Sequence, residues 1–215
     1  MALNDIGTQQ ATVTESTNES INHLLDYLDT YPNNCIVYRS RSMVLVVRSY
    51  SGFHNESKGR SRSGSHIFLD KYKPVPRLNG PILTIAQVII FFMSSASEAE
   101  LGAIFITAKE LLPMRQTLID MGCPKPPTQI QTDNSTAAGV VNETIIALKT
   151  KSMDLQLNCL RCRESQQKFI FYWAPGSNNW ADCSTKYHPP IYQESKRPLF
   201  SGAAHKLYQA HIVRC

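Results

Sequence analysis

The sequence has 215 residues, of which 42% are hydrophobic, and a formal net charge of +5 at pH 7. This length favours one domain with extensions over two full domains, and the mild positive charge permits an anionic partner without requiring one. The longest apolar stretch, residues 81–93, is too short to cross a bilayer, and no secretory signal precedes the six cysteines, so we expect an intracellular protein with reduced thiols.

Helical and strand patterns alternate along the chain. Residues 1–17 are predicted to be irregular, and apolar residues recur at helical spacing from Glu19 until TYPNN (30–34) ends that helix. The further predicted elements are strands at 35–39, 43–49, 66–69 and 81–93, helix 94–112, strand 127–132, helices 134–142 and 144–166, strand 168–173 and helix 177–187. This order predicts an α/β or α+β fold, in which helices flank a mixed central sheet.

Three carboxylates lie at junctions between these elements. Glu100 is in the first turn of a helix, Asp133 ends a strand, and Asp182 is near the start of the last helix. Carboxylates in such places can share hard cations, and paired metal ions about 3.5–4 Å apart stabilise the attacking and leaving oxygens of a phosphodiester. Each acid also has a structural explanation: Glu100 in a capping box with Ser97, Asp133 as a helix cap, and Asp182 beside the helix dipole. Position alone leaves both explanations open.

Four motifs, in order, resemble the RNase H domain at the end of copia-type LTR retrotransposon polyproteins. They are MSSASEAELGA (93–103), IQTDNSTAAGVVN (130–142), KSMDLQLNCLRCRE (151–164) and FYWAPGSNNWADCSTKYHP (171–189). The family shows Ser-Ser-x-x-Glu-Ala-Glu, Thr-Asp-Asn-x-x-Ala, Lys-x-x-Asp and Asn-x-Ala-Asp-x-x-Thr-Lys, and the similarity extends over about residues 35–200. The resemblance implies an RNase H-like fold that hydrolyses the RNA strand of an RNA–DNA hybrid with two Mg²⁺ ions held by four acids.

The resemblance also assigns roles to individual residues. It gives catalytic and metal-binding roles to Glu100, Asp133 and Asp182, the three acids that match the family's motifs. Lysines and arginines of the predicted basic helix and of the loop after the second strand can follow the phosphates of a duplex, or can simply form a solvated surface. The residues predicted to contact nucleic acid are Asn134, Lys149 and Lys151, and the loop cations are Lys58, Arg60 and Arg62.

Tyr50 occupies the position of the family's first catalytic aspartate. The family pattern Ser-Asp-Ala-Ser, followed by an aromatic residue, aligns with SYSGF at 49–53. A phenol with a pKa near 10 is neutral at pH 7, is a poor Mg²⁺ ligand and is larger than an aspartate. Three interpretations stay open: a catalytically compromised RNase H-fold remnant, a working RNase H with a relocated fourth ligand, and a non-catalytic module that binds RNA–DNA hybrids.

The resemblance divides the chain into three segments. Residues 1–33 look like the connection between polymerase and nuclease and are predicted to contain one helix. Residues 34–190 form the predicted RNase H-like domain, and residues 191–215 form a partly ordered C-terminal tail. Because no paired-aspartate polymerase motif is present, we interpret the chain as a truncated piece of such a polyprotein.

Overall fold

The computed structural model describes residues 2–32, 35–71, 79–123, 125–145, 153–188 and 201–202. Its helices are α1 (Ala2–Thr8), α2 (Glu15–Thr30), α3 (Ala96–Asp120), α4 (Ser135–Val141) and α5 (Asp154–Ser165). Its strands are β1 (Cys35–Ile36), β2 (Val44–Gly52), β3 (Arg62–Asp70), β4 (Pro81–Val88), β5 (Thr128–Thr132), β6 (Phe169–Trp173) and β7 (Ser201–Gly202). Short 3₁₀ helices cover Ser57–Gly59, Gly176–Asn178 and Trp180–Ser184.

Five strands form a central sheet in the order β4-β3-β2-β5-β6. Strands β2, β3 and β4 pair in antiparallel fashion, whereas β5 pairs in parallel with both β2 and β6. The parallel pairs require crossover connections, and the chain supplies helices for them: α3 before β5, and α4 and α5 before β6. Strands β1 and β7 form a separate antiparallel pair. The predicted α/β architecture, a mixed sheet flanked by helices, is confirmed.

The main apolar core lies between the sheet and helix α3. Leu45 and Val47 of β2 belong to one buried cluster with Ile104 and Leu111 of α3, and all four are at most 1% exposed. Burying one such aliphatic side chain stabilises the fold by about 1.5–3 kcal/mol. Strand β2 is buried along nearly its whole length, with only Tyr50 partly exposed. The strand that leads to the predicted site is therefore an interior, buried strand of the sheet. No helix among the residues described combines the length and the apolarity needed to cross a bilayer.

Several element boundaries differ from the sequence prediction. Helix α3 does not end before Pro113 but continues to Asp120, because Arg115 and Leu118 beyond the proline are buried. An internal proline costs about 3 kcal/mol, so tertiary packing outweighs the local signal here. Strand β4 ends at Val88 instead of continuing to residue 93. Ile89 and Met93 are still buried, but the residues between them, Ile90 to Phe92, lie on the surface.

The two ends of the chain also differ from the prediction. The first 17 residues are not irregular, because they include α1 and the start of α2, so the N-terminal segment has two helices where one was predicted. The basic helix begins at Asp154 and not at residue 144, while residues 146–152 lie outside the described residues. The predicted helix 177–187 is replaced by two 3₁₀ turns, and the predicted tail at 191–215 is described only at 201–202.

Gly64 allows the 3₁₀ helix Trp180–Ser184 to lie directly on strand β3, and this contact supports a prediction. A Cβ at Gly64 would lie 2.5 Å from Thr185 Cγ2 and 2.6 Å from the carbonyl oxygen of Ala181, which cannot rotate away. We expect Gly64→Ala to lower the free energy of unfolding by about 1–3 kcal/mol in urea titrations. The control is Gly7→Ala, since nothing lies within 4 Å of that position. Equal stability of wild type and Gly64→Ala would contradict the close packing.

Candidate functional site

Tyr50 and the three predicted acids come together at one end of the central sheet. Strands β2 and β5 are parallel, with Val46 opposite Gln129 and Arg48 opposite Gln131. Continuing the same register by two residues brings Tyr50 alongside Asp133. Neighbouring strands are about 4.8 Å apart, and residues in register project from the same face. The sheet therefore places the tyrosine beside one of the predicted catalytic acids.

Glu100 does not cap helix α3, although its sequence context permits that role. The N-cap is Ser95, whose side chain accepts a hydrogen bond from the backbone N–H of Glu98 at 3.2 Å. The carboxylate of Glu98 in turn accepts from the backbone N–H of Ser94 at 2.8 Å. The start of helix α3 is thus capped without Glu100, and the predicted capping box between Glu100 and Ser97 is wrong.

Glu100 instead reaches across to the two central strands. Its carboxylate accepts from the backbone N–H of Ser51 at 2.6 Å and from Thr132 Oγ1 at 2.9 Å, and the residue is only 4% exposed. Burial raises the pKa of Glu100 to about 7, and the negative charge of Asp133 adds to this rise. The hydrogen bonds from Ser51 and Thr132 act in the opposite direction but are outweighed. Near neutral pH this acid is therefore only partly ionised.

Asp133 is likewise not a cap. Asn134 caps α4 by accepting from the backbone N–H of Ala137 at 2.9 Å. Burial raises the pKa of Asp133, the charge of Asp182 adds to that rise, and the positive charge of Lys186 opposes it. The carboxylate of Asp133 is therefore within electrostatic reach of both residues.

Asp182 is held over the sheet by the loop that follows β6. The amide of Asn179 donates to the carbonyl of Ser49 at 2.7 Å, and its oxygen accepts from the N–H of Ala181 at 3.2 Å. These two contacts tie the start of the 3₁₀ helix to strand β2. Within that helix, one carboxylate oxygen of Asp182 lies 3.1 Å from Lys186 Nζ and the other lies 3.1 Å from His188 Nε2. Both oxygens of this acid already face a nitrogen of the protein.

Lys186 connects the tyrosine to the acids. Its ammonium group donates a hydrogen bond to the Tyr50 hydroxyl and lies 4.5 Å from the centre of the Tyr50 ring. Burial by itself lowers the pKa of Lys186, but the contacts with Tyr50 and Asp182 outweigh burial and raise it. Burial raises the pKa of Tyr50, and the charge of Asp182 adds to that rise against the effect of Lys186. The pair is consequently a neutral phenol and a charged ammonium group at pH 7.

The residues present do not fit a site for two Mg²⁺ ions. The three predicted acids lie at the same end of the sheet and influence one another's pKa, as Glu100 does with Asp133 and Asp133 with Asp182. Nevertheless, no group of three His, Cys, Asp or Glu side chains in the described ranges has an arrangement that could hold a metal ion. The Tyr50 phenol beside these acids is neutral and a poor Mg²⁺ ligand, and the Lys186 ammonium pairs with Asp182 as a cation would.

Neither nearby glutamate supplies a relocated fourth ligand. Glu56 lies in an ion pair, 2.5 Å from Arg62 Nε, and Arg62 is only 1% exposed. The carboxylate of Glu98 is bound to Ser94 at the start of α3, as described above. Engaging either acid at the site would require breaking these contacts.

The remaining predicted contacts divide into three groups. Lys149 and Lys151 lie outside the described residues. Asn134 lies next to Asp133 and uses its side-chain oxygen to cap α4, and a role toward nucleic acid stays a prediction. Among the loop cations, Arg62 is buried with Glu56 and Asp5, whereas the other two, Lys58 and Arg60, are exposed.

Sequence reasoning assigned no role to Lys186 or His188. Both lie within or just after the Thr-Lys part of the last motif, four and six residues after Asp182. A spacing of four residues is the signal that could have found Lys186, because an acid and a base so placed can pair in a helical turn. His188 offered no comparable signal, since it follows the turn and its position depends on how the chain folds back.

Comparison with known proteins supports the fold. No family model matches the sequence, and no curated protein matches it. LC11-RNase H1, isolated from compost by a metagenomic approach, has a TM-score of 0.51 at 13% identity, covering 66% of this chain and 93% of that protein. The same protein in complex with an RNA/DNA hybrid gives a TM-score of 0.47 at 12% identity, covering 66% and 93%. The RNase H domain of prototype foamy virus gives 0.40 at 13% identity, covering 68% and 93%. The first similarity shows that the described domain has an RNase H-like fold.

Proposed function

We propose that this chain is an RNase H-like domain of the copia retrotransposon type that binds RNA–DNA hybrids but does not cleave them. The observation that carries the proposal is the contact of Tyr50 with Lys186 beside Asp133 and Asp182. The four motifs, in register over most of the chain, support the retrotransposon origin and the change from aspartate to Tyr50. The solved complex of LC11-RNase H1 with an RNA/DNA hybrid is the precedent for the ligand.

The loss of cleavage follows from charge. In the proposed ancestral site, four carboxylates hold two Mg²⁺ ions, which would position a water molecule and stabilise the charge on the scissile phosphate. Here Glu100 is partly protonated near pH 7, and Lys186 neutralises Asp182. Of the three site acids, Asp182 is in an ion pair with a described residue, whereas Glu100 and Asp133 are in none. This much negative charge is too little to assemble two divalent cations.

Hybrid binding does not need those cations. A duplex is held mainly through its phosphates, and lysine and arginine side chains supply that attraction directly. We propose Asn134, Lys149 and Lys151 as contacts, as the sequence predicts, together with the exposed cations of the loop after β2. We also retain residues 34–190 as the binding domain, with 1–33 as a connection and 191–215 as a tail.

Hybrid binding and cleavage by the natural sequence test the proposal. We expect a labelled hybrid to bind in EDTA, measured by fluorescence anisotropy, with affinity that falls steeply as salt rises, by about 0.9 logarithmic units per decade of salt for each phosphate contacted. On denaturing gels we expect no RNA fragments in Mg²⁺ or Mn²⁺. Robust cleavage that Asp133→Asn abolishes would show the inactivity to be wrong, and a flat salt response would show the mode of binding to be wrong.

A further inference from the structure

An exposed aromatic surface lies at the tip of the β2–β3 hairpin and the start of α3. We call the side chains of Phe53, His54 and Phe92 the aromatic ledge. Phe92 is 65% exposed and Phe53 37%. Large aromatic rings exposed together usually mark a binding surface. The sequence predicted that Phe91 and Phe92 would belong to a buried strand, but β4 ends before them.

The ledge is fixed in position by its central histidine. The His54 ring stacks on Phe53 with 3.8 Å between the ring centres and an angle of 23°, and its centre lies 5.1 Å from that of Phe92. His54 Nε2 lies 2.8 Å from the carbonyl oxygen of Met93, and the His54 backbone N–H donates to Ser61 Oγ at 3.2 Å. These contacts join the hairpin loop to the start of α3. The rings are therefore ordered before any ligand arrives, which lowers the entropy lost on binding.

Two cations flank the ledge. Lys58 and Arg60 are exposed in the same loop, and Gly59 between them lies so close to Phe92 that a Cβ there would be 3.2 Å from the ring. Neither cation forms an ion pair with any residue that the structure describes. The nearby acid Glu56 is occupied by Arg62. The surface therefore combines flat aromatic rings with unneutralised positive charge.

We propose that the aromatic ledge binds single-stranded nucleic acid. Unpaired bases would stack on the Phe53 and Phe92 rings, and the adjoining phosphates would lie near Lys58 and Arg60. Aromatic rings beside cations are the combination by which proteins bind single strands without reading their sequence. The charge favours this ligand over an apolar protein surface. Phe53 follows the last residue of β2 directly and lies three residues after Tyr50. The inference goes beyond the proposed function, because it requires neither a duplex nor the acids.

Substitution of Phe92 tests the proposal on the intact chain. The ligand is a short labelled oligothymidylate in EDTA, and its affinity is measured by fluorescence anisotropy. Stacking on an aromatic ring contributes enough that Phe92→Leu should weaken binding by about fivefold or more, whereas Phe92→Trp should retain it. Because Phe92 is exposed, neither change should disturb folding. The matched control is Ile119→Ala near the far end of α3, which removes another exposed apolar side chain and should have no effect.

The results that would contradict the proposal are equally specific. Undiminished oligothymidylate binding by Phe92→Leu, or no binding by the wild type, would overturn the proposal. So would a wild-type oligomer, seen by sedimentation, that Phe92→Leu dissociates without any binding of the oligonucleotide, because the ledge would then be a protein interface. Hybrid affinity measured on the same preparations separates the two proposals. Oligothymidylate binding without hybrid binding would contradict the proposed function and support single-strand binding by the ledge.

Discussion

Tyr50→Asp should give the chain metal-dependent cleavage of the RNA strand of an RNA–DNA hybrid. The parallel register of β2 and β5 places residue 50 alongside Asp133, so the new carboxylate would join the existing acids without a backbone rearrangement. Metal ions supply several kcal/mol of stabilisation to a phosphoryl transition state, which corresponds to about two orders of magnitude in rate or more. We therefore expect RNA fragments in Mg²⁺ or Mn²⁺ at no less than about a hundred times the wild-type background.

Two controls make this result interpretable. Tyr50→Asn removes the phenol and its contact with Lys186 without adding charge, so it should gain no activity. The double variant Tyr50→Asp/Asp133→Asn should lose whatever the single variant gains. Calorimetric titration of Mn²⁺ gives a readout separate from cleavage, with heat of binding expected for Tyr50→Asp and none for wild type. If Tyr50→Asp binds hybrid tightly and cleaves nothing, the chain is a binding module whose site has lost more than one acid.

Glu100→Gln should remove a large part of the pH dependence of stability. The pKa of Glu100 in the folded protein is about 7, against an ordinary value of 4.5, so the folded state binds this proton more tightly than the unfolded chain does. The free energy of unfolding of the wild type should therefore be highest below the ordinary pKa, fall as pH rises through the interval between the two values, and level off above about 7. The shift corresponds to about 3 kcal/mol.

The glutamine variant keeps the shape of the side chain but cannot ionise. Its amide oxygen can accept from the Ser51 N–H, and its NH₂ can donate to Thr132 Oγ1, since a hydroxyl both donates and accepts. We expect Glu100→Gln to be more stable than wild type above pH 7, by up to about 3 kcal/mol, with little difference in mild acid. Urea titrations across the pH range measure this. Glu110→Gln, an exposed glutamate on the same helix, is the control. Parallel pH curves for Glu100→Gln and wild type would show that Glu100 titrates normally.

The sequence alone was enough to predict the class of fold and to identify the acids. Apolar periodicity reports which face of each segment is buried, so the alternation of strands and helices predicted a mixed sheet with flanking helices. Junction positions drew attention to Glu100, Asp133 and Asp182 but left a structural explanation open for each. The resemblance of four motifs to the copia-type family predicted their catalytic roles and the change from aspartate to Tyr50. These features are local, because each depends on residues only a few positions apart.

Tertiary contacts decided everything that depends on distant residues. Helix α3 passes through Pro113 because residues beyond it pack in the core, and Phe92 is exposed in the connection between the end of β4 at Val88 and the start of α3. The partners of the acids were equally hidden. Lys186 reaches Tyr50 across 136 residues of sequence, and it does so because Gly64 leaves room for a 3₁₀ helix on strand β3. Sequence periodicity reports burial and not partners, so the acids could be predicted from the sequence, whereas the contact of Lys186 with Tyr50 was visible only in the folded chain.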